Sequence, residues 1–409
     1  MVAETQPAPQ LAEVLGQLRR RLATHRRRDI GYPGGRDLDF GELSDLLCGE
    51  LLNNVGDPYD IHGHAHTKQI EQQVIDIVGD WLDAPPSRWG YVTTGSSEGT
   101  LHALDEAWQA WHDVVVYTST AAHYSVAKAA RLLKLPLVMI ATDEAGRMNT
   151  ADLAAELGRR RHHPAIVVAT AGTTMTEAID DVAQISATMD RLAITRRRIH
   201  VDAALSGLPL ALLPEADRPG FDFTAGATSM VVSGHKFLAT LTPCAVLLYA
   251  DAPHLITGRR IRYTASADTT ITGSRSGHTP LLLWYSLTRL GADGHRRRAQ
   301  AARNLAAYTH QRLLDLGWET RRNPHAFTVV LRSPPAAVHD NWILADDGAW
   351  AHIITMPGID QSQIDDFLSD LEASRHGVPG EQRGQRRLPW KRKQAHLSPV
   401  GSAVGAADP

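Results

Sequence analysis

The chain has 409 residues, with 42 lysines and arginines against 45 aspartates and glutamates and a formal charge of −3. That length exceeds one ordinary hydrophobic core and predicts a large and a small domain, while the balanced charge excludes a global electrostatic case for nucleic acid or membrane surfaces. Cys48 and Cys244 are the only cysteines, and neither a signal-like start nor an apolar run near the ~20 residues of a bilayer span is present, so the expectation is a soluble protein of the reducing cytoplasm.

In chain order, residues 1–55 read as an N-terminal arm. Leu11, Leu15, Leu18 and Leu22 recur at helical spacing among Arg19–21 and Arg26–28, which predicts an amphipathic helix with a solvated basic face, used for packing or as a dimer arm. Turns follow at 31–35 and 53–58, then a one-faced helix through Ile70, Val74, Ile77, Val78 and Trp81. A βα alternation occupies the large domain, 56–278. Strands are expected at 91–93, 114–117, 137–140, 165–170, 199–201, 229–232 and 245–249, with helices between most of them. Continuously apolar strands between helices predict a largely parallel sheet covered on both faces. Ligands of such sheets bind beyond the strands' carboxyl ends, where Gly95, Asp202 and Lys236 fall. A small α+β domain, 279–375, is expected to hold helical stretches at 281–290 and 299–316, strands at 327–331 and 352–355, and a last helix capped by Asp360 with Gln363. The Gly, Pro, Gln and Arg rich stretch 376–409 reads as a disordered basic tail, solvated rather than bound to RNA.

The chemistry centres on Lys236, in Ser233-Gly234-His235-Lys236-Phe237 between two apolar runs. A lysine held on a strand-to-strand turn beside other cations is where an amine becomes nucleophilic. Lysine-bound pyridoxal phosphate needs four kinds of partner, and the strand ends offer one of each. Gly95-Ser96-Ser97 opens a helix and supplies hydroxyls and N–H groups for a phosphate. Asp202 ends a strand and suits the protonated pyridine nitrogen. His123 offers a flat face to one side of a ring, and Ala204, two residues beyond Asp202 on an extended chain, a small one to the other. Taken singly, each also fits a cap, a core histidine or an ordinary turn.

Seven blocks in order carry a resemblance: Asn53-Asn54-Val55-Gly56-Asp57-Pro58, Thr93-Thr94-Gly95-Ser96-Ser97-Glu98-Gly99, His123-Tyr124-Ser125-Val126-Ala127-Lys128, Gly172-Thr173-Thr174 ahead of Asp180-Asp181, His200-Val201-Asp202-Ala203-Ala204, Ser233-Gly234-His235-Lys236-Phe237 and Gly273-Ser274-Arg275-Ser276-Gly277-His278. From about residue 31 to 375 the chain resembles the pyridoxal-phosphate group II amino-acid decarboxylases, in their histidine/serine decarboxylase branch. The resemblance implies the aspartate-aminotransferase type of fold (fold type I): a mostly parallel seven-stranded sheet plus a smaller C-terminal α+β domain, paired into homodimers or higher homo-oligomers with shared sites. It implies Lys236 as the Schiff-base lysine, Asp202 at the pyridine nitrogen, His123 on the ring, Ser96, Ser97, Ser233 and His235 around the phosphate, and Thr174 near the cofactor. Tyr263 falls in what resembles a mobile loop and would return a proton to substrate. Asn53, Arg275 and the cluster His62, His64 and His66 are expected on the substrate side.

The implied reaction is decarboxylation of an L-amino acid to its amine in a biosynthetic pathway. Two departures from the family pattern stand out: Ser96-Ser97 where Gly-Thr is usual, with Thr100 for Asn, and the extra histidines at 62 and 64. The histidines suit an acidic substrate group; a metal on them lacks a carboxylate or thiol partner at suitable spacing. Other outcomes of the same cofactor (transamination, aldol chemistry) and a non-catalytic descendant stay open. A rival from another class is a serine hydrolase, since Gly95-Ser96-Ser97-Glu98-Gly99 fits a nucleophile elbow with Asp202 and His235 following in order. Against it, little sheet precedes residue 91, and Lys236 is left without a task.

Overall fold

The computed structural model describes residues 9–63, 65–253 and 260–375. His64 and the tail at 376–409 lie outside the described residues. The chain opens with α1 (Pro9–Arg28), α2 (Ser44–Gly49) and α3 (Lys68–Trp81); the last buries Val74 and Val78 as the spacing predicts, but also Ile75, while Ile70, Ile77 and Trp81 are only half-buried. In a single chain, Leu11, Leu15, Leu18 and Leu22 of α1 are 50, 37, 37 and 55% exposed.

Seven strands, β1 (Trp89–Thr93), β2 (Val115–Ser119), β3 (Leu137–Ile140), β4 (Ala165–Thr170), β5 (Arg197–Asp202), β6 (Ser229–Ser233) and β7 (Ala245–Tyr249), form one sheet in the order β1-β7-β6-β5-β4-β2-β3. β7 is antiparallel to both neighbours and the remaining pairs are parallel. Between strands come α4 (Ser96–Ala110), α5 (Ser125–Leu132), α6 (Thr150–Arg159), α7 (Val182–Arg191) and α8 (Gly207–Ala211). Central β2 and β4 are buried at every position, whereas edge strand β3 buries only Ile140, the signature of a sheet covered on both faces away from its edge. β1 starts two residues before the expected 91, because Trp89 and Gly90 pair with Tyr249 and Leu248.

Beyond the sheet lie the hairpin β8 (Arg260–Ile261) and β9 (Ser266–Ala267), then α9 (His278–Asp315), β10 (Thr320–Arg321), β11 (Thr328–Arg332), α10 (Ala336–Asn341), β12 (Ala345–Asp346), β13 (Trp350–Ile354) and α11 (Gln361–Arg375). β10-β11-β13-β12 make a small antiparallel sheet. α9 joins both expected helical stretches, bending at Gly291, whose φ of 59° and ψ of −179° are not helical. Arg296-Arg297-Arg298, a gap in the apolar pattern, is helical because Arg298 reaches outward to Asp37 at 2.7 Å and to the carbonyl of Phe237 at 3.1 Å. The capping pair of α11 is only half formed. Asp360 accepts the Gln363 N–H at 2.9 Å, but the Gln363 amide is spent on the carbonyls of Arg26 and Arg27 at the end of α1. One core runs through both sheets: Phe237, just past Lys236, meets Phe327 with ring centroids 6.2 Å apart. No described helix is long and apolar enough to cross a membrane.

Candidate active site

Strand register decides which side chains meet. Asp202, the last residue of β5, pairs with Thr170 at the end of β4 and with Val231 on β6. Ser233 ends β6 opposite Ala245, and Ala245 also faces Thr93 at the end of β1. Because β7 runs backwards between them, the loops leaving β1, β5 and β6 emerge at one edge of the sheet, carrying Gly95, Asp202 and Lys236.

The Lys236 turn is short and tightly held. Gly234 N–H donates to the Cys244 carbonyl at 2.8 Å, and the Lys236 carbonyl accepts from Gly35 at 3.0 Å and Ala239 at 3.2 Å. A Cβ on Gly35 would lie 2.8 Å from that carbonyl, so the N-terminal segment lies directly on the lysine's backbone, as only glycine permits. Burial lowers the pKa of Lys236, opposed by the carboxylates of Asp202 and Glu177. Burial likewise holds half-buried His123 below the usual imidazole range; Asp202 opposes this, and the cations Lys236 and Lys128 reinforce it. Lysine, aspartate and histidine therefore share one electrostatic neighbourhood. The His123 Nδ1 is tied to Ser125 Oγ at 2.8 Å.

On the phosphate side, α4 begins at Ser96 with no side chain capping it, leaving its leading N–H groups without intrahelical partners. Ser96 Oγ lies 2.7 Å from Ser233 Oγ, Ser97 is exposed on the same turn, and a Cβ on Gly95 would meet nothing within 4 Å. Open space flanked by N–H groups and hydroxyls at a helix start fits a phosphate, and Asp202, 5% exposed at a strand end, fits a protonated ring nitrogen. The donor set accordingly fits pyridoxal phosphate. Thr174 is exposed and lines, with His123, a cleft of about 730 Å³ that also touches Asp143, Arg321 and Asp347.

Several expectations need correction. The chain is not extended beyond Asp202: it turns at once, and Ala204 N–H donates to Asp202 Oδ1 at 3.2 Å, so Ala204 reaches the site edge through a turn rather than strand alternation. His235 Nδ1 is engaged with the Cys244 backbone, 3.2 Å from its carbonyl and 3.3 Å from its N–H. With Asp202 Oδ1 on Ala204 and His235 on Cys244, the hydrolase residues Ser97, Asp202 and His235 form no hydrogen-bonded triad among the described residues. Arg275, expected to meet substrate, is 4% exposed and ion-paired with fully buried Glu71, while it also bonds the carbonyls of Val92 and Gly56. Its charge is spent on fixing the 53–71 segment.

The residues expected on the substrate side sit on that segment and on the hairpin. Asn53 donates its amide to Ser274 Oγ at 3.3 Å, and its Oδ1 is buried without a partner among the described residues. His66 Nδ1 accepts the Lys68 N–H at 3.4 Å. Exposed His62 meets Arg260 of β8, Nε2 to Nη2, at 3.0 Å, and Asp60 accepts from Ala267 N–H at 2.8 Å and Ser266 Oγ at 3.2 Å. Tyr263, at the hairpin tip, is 91% exposed in the single chain. Among the described residues no three His, Cys, Asp or Glu side chains are grouped to hold a metal ion. Sequence reading missed Glu71 and Glu177, whose partners lie far away along the chain and leave no local pattern.

Residues 43–321 match the family described as "Pyridoxal-dependent decarboxylase conserved domain". The chain is 37% identical to a histidine decarboxylase of Mesorhizobium japonicum, over 84% of this chain and 92% of the relative. It is 35% identical to serine decarboxylase 2 of Oryza sativa subsp. japonica, over 89% of this chain and 78% of that one. Among solved structures, an L-methionine decarboxylase from Streptomyces sp. 590 in complex with L-methionine methyl ester superposes with a TM-score of 0.81 at 24% identity, covering 91% of this chain and 96% of that one. The chain belongs to the pyridoxal-dependent decarboxylases and shares their fold type I architecture.

Proposed function

We propose that this pyridoxal-phosphate carboxy-lyase removes the α-carboxylate of an L-amino acid in the manner of a histidine decarboxylase, with Lys236 as its cofactor-bearing residue. The observation that carries this reading is the Lys236 amine set into the sheet edge within the field of Asp202. Bound pyridoxal phosphate supplies an electron sink for the pair released when the bond from Cα to the carboxylate breaks. Lys236 holds the cofactor covalently, and its depressed basicity favours the free amine needed to do so. Asp202 keeps a proton on the pyridine nitrogen. Ser96, Ser97, Ser233 and the first N–H groups of α4 bind the phosphate, with His235 and Thr174 beside them. Burial holds His123 below the usual imidazole range; its ring would cover one face of the bound group and Ala204 the other. Tyr263 returns a proton to Cα, and Asn53, His62 and His66 face the substrate side chain.

A second reading of the substrate, an acidic side chain, is favoured by the Arg260 guanidinium held beside His62, a cation suited to a carboxylate. The exposed leucines of α1 support a homodimer, and the reading places the enzyme in the cytoplasm. The test is to incubate loaded enzyme with a panel of L-amino acids and identify products by mass. Loss of CO₂ from histidine or an acidic amino acid is the expected result; transamination products overturn the reaction, and borohydride labelling away from residue 236 overturns the site.

A further inference from the structure

Glu177 is a buried acid with no place in the chemistry described so far. It is 2% exposed and stands at a φ of 52°, left-handed backbone that a non-glycine residue adopts at a cost. The tight turn around it is closed by Gly172 and Thr173 N–H groups on the Ala178 carbonyl, both at 3.0 Å, and by Glu177 N–H on the Thr173 carbonyl at 2.8 Å. Both carboxylate oxygens are occupied by donors. Oε1 accepts from Ser206 Oγ at 2.8 Å; Oε2 accepts from Thr328 N–H at 2.8 Å and Thr328 Oγ1 at 2.6 Å. Thr328 N–H can only donate, which fixes Oε2 as an acceptor, and the two hydroxyls complete the set; burial pushes the Glu177 carboxyl up, and these hydrogen bonds pull it back down.

Its partners are what give the residue meaning. Ser206 lies four residues past Asp202 in the turn that also carries Ala204, and its Oγ would be 2.4 Å from a Cβ on Gly172, so it is wedged against the loop that leads to Thr174. Thr328 opens β11 of the small sheet. A second strap runs alongside, from the Asn323 amide to the carbonyls of Ala145 and Thr176 at 3.0 and 2.9 Å. One carboxylate thus fastens the Thr174 loop, the Asp202 turn and the small domain to each other. The cations facing it are Lys236, Arg303 and Arg322.

We propose that Glu177 is a positioning residue for the decarboxylation: its carboxylate pins the turn after Asp202 to the small domain and holds a second negative charge beside Lys236. The proposal rests on the reading of Lys236 as the cofactor-bearing lysine. Two variants separate its parts. Glu177→Gln keeps the shape and removes the charge; Glu177→Gly removes the side chain and suits the backbone angle. Losing a negative charge near Lys236 disfavours its protonated state, leaving Asp202 as the opposing carboxylate, with His123 and Lys128 unchanged.

The test reads Lys236 directly in cofactor-free full-length protein, by its rate of modification with an amine-reactive reagent, mapped by peptide and referenced to exposed lysines. At fixed pH below its pKa, modification of Lys236 is expected to be about tenfold faster in both variants, a shift of about one pH unit. In loaded enzyme, the pH midpoint of the visible cofactor band is expected to move down by a similar amount. Unchanged labelling and an unchanged midpoint in both variants overturn the proposal, whatever happens to the melting temperature. Because the labelling needs no cofactor, it decides the role of Glu177 even where borohydride mapping contradicts Lys236 as the attachment site.

Discussion

The sheet edge that carries Lys236 and the loop and hairpin that carry the histidines and Tyr263 are held by different forces. Asp202 and Ser233 are 5% and 2% exposed, Asp202 held between the β4 and β6 ladders and Ser233 on the β7 ladder, with the core beneath. The hairpin hangs on a few polar contacts, chiefly Asp60 to Ala267 and Arg260 to His62, and leaves Tyr263 91% exposed. On the proposed reading, reaction chemistry rests on the rigid element, where a small displacement costs rate, and substrate choice on loops, where sequence can vary without disturbing the core.

Substitutions that separate the two regions test this contrast. Lys236→Ala should reduce amine formation by about a thousandfold or more, since a missing nucleophile cannot be replaced by its surroundings; the same protein should melt close to the parent temperature. Asp202→Asn should cost about a hundred- to a thousandfold in turnover while phosphate retention, followed by cofactor dialysis, persists. Tyr263→Phe should lower kcat by about a hundredfold, the low end for a positioned proton donor, with KM little changed. A drop in KM-dependent binding alone would assign Tyr263 to recognition instead. Smallest is Asp60→Ala, which should leave kcat within about threefold and raise KM, with earlier proteolytic cleavage in the hairpin.

Asp60 also sets a pH limit. The Ala267 N–H holds its carboxyl below the ordinary aspartate value, so its contribution to hairpin anchorage is complete above the unfolded pKa of about 4 and disappears as pH falls through the lower folded value. Hydrogen exchange at Ala267 should show protection at neutral pH that fades on acidification. Protection that grows on acidification would reverse the assignment.

What could be read in the sequence follows the same division. The apolar run before Lys236 and the strand ending at Asp202 are local patterns, and β6, β7 and β5 form where those patterns fall. The family resemblance puts Arg275 on the substrate side, yet its partner Glu71 is 204 positions away, a distance that no local pattern spans. Ala204 was placed by strand alternation, which stops at Asp202 when the chain turns. Glu177 carries no signal in its own neighbourhood, because its partners Ser206 and Thr328 lie 29 and 151 positions away.

Gly31 and Gly35 have a consequence in time. A Cβ on Gly31 would lie 2.6 Å from the backbone of Leu344 and Ala345, and one on Gly35 would strike the carbonyl of residue 236. These early residues therefore leave the ribosome long before the surfaces that receive them exist. At about 5–20 residues per second, the roughly 310 residues from Gly31 to Leu344 take about fifteen seconds to a minute to synthesise, and the roughly 200 from Gly35 to Lys236 about ten to forty seconds. The segment holding Gly31 and Gly35 is thus made well before either of its docking surfaces, so the nascent chain must shelter it in the interval.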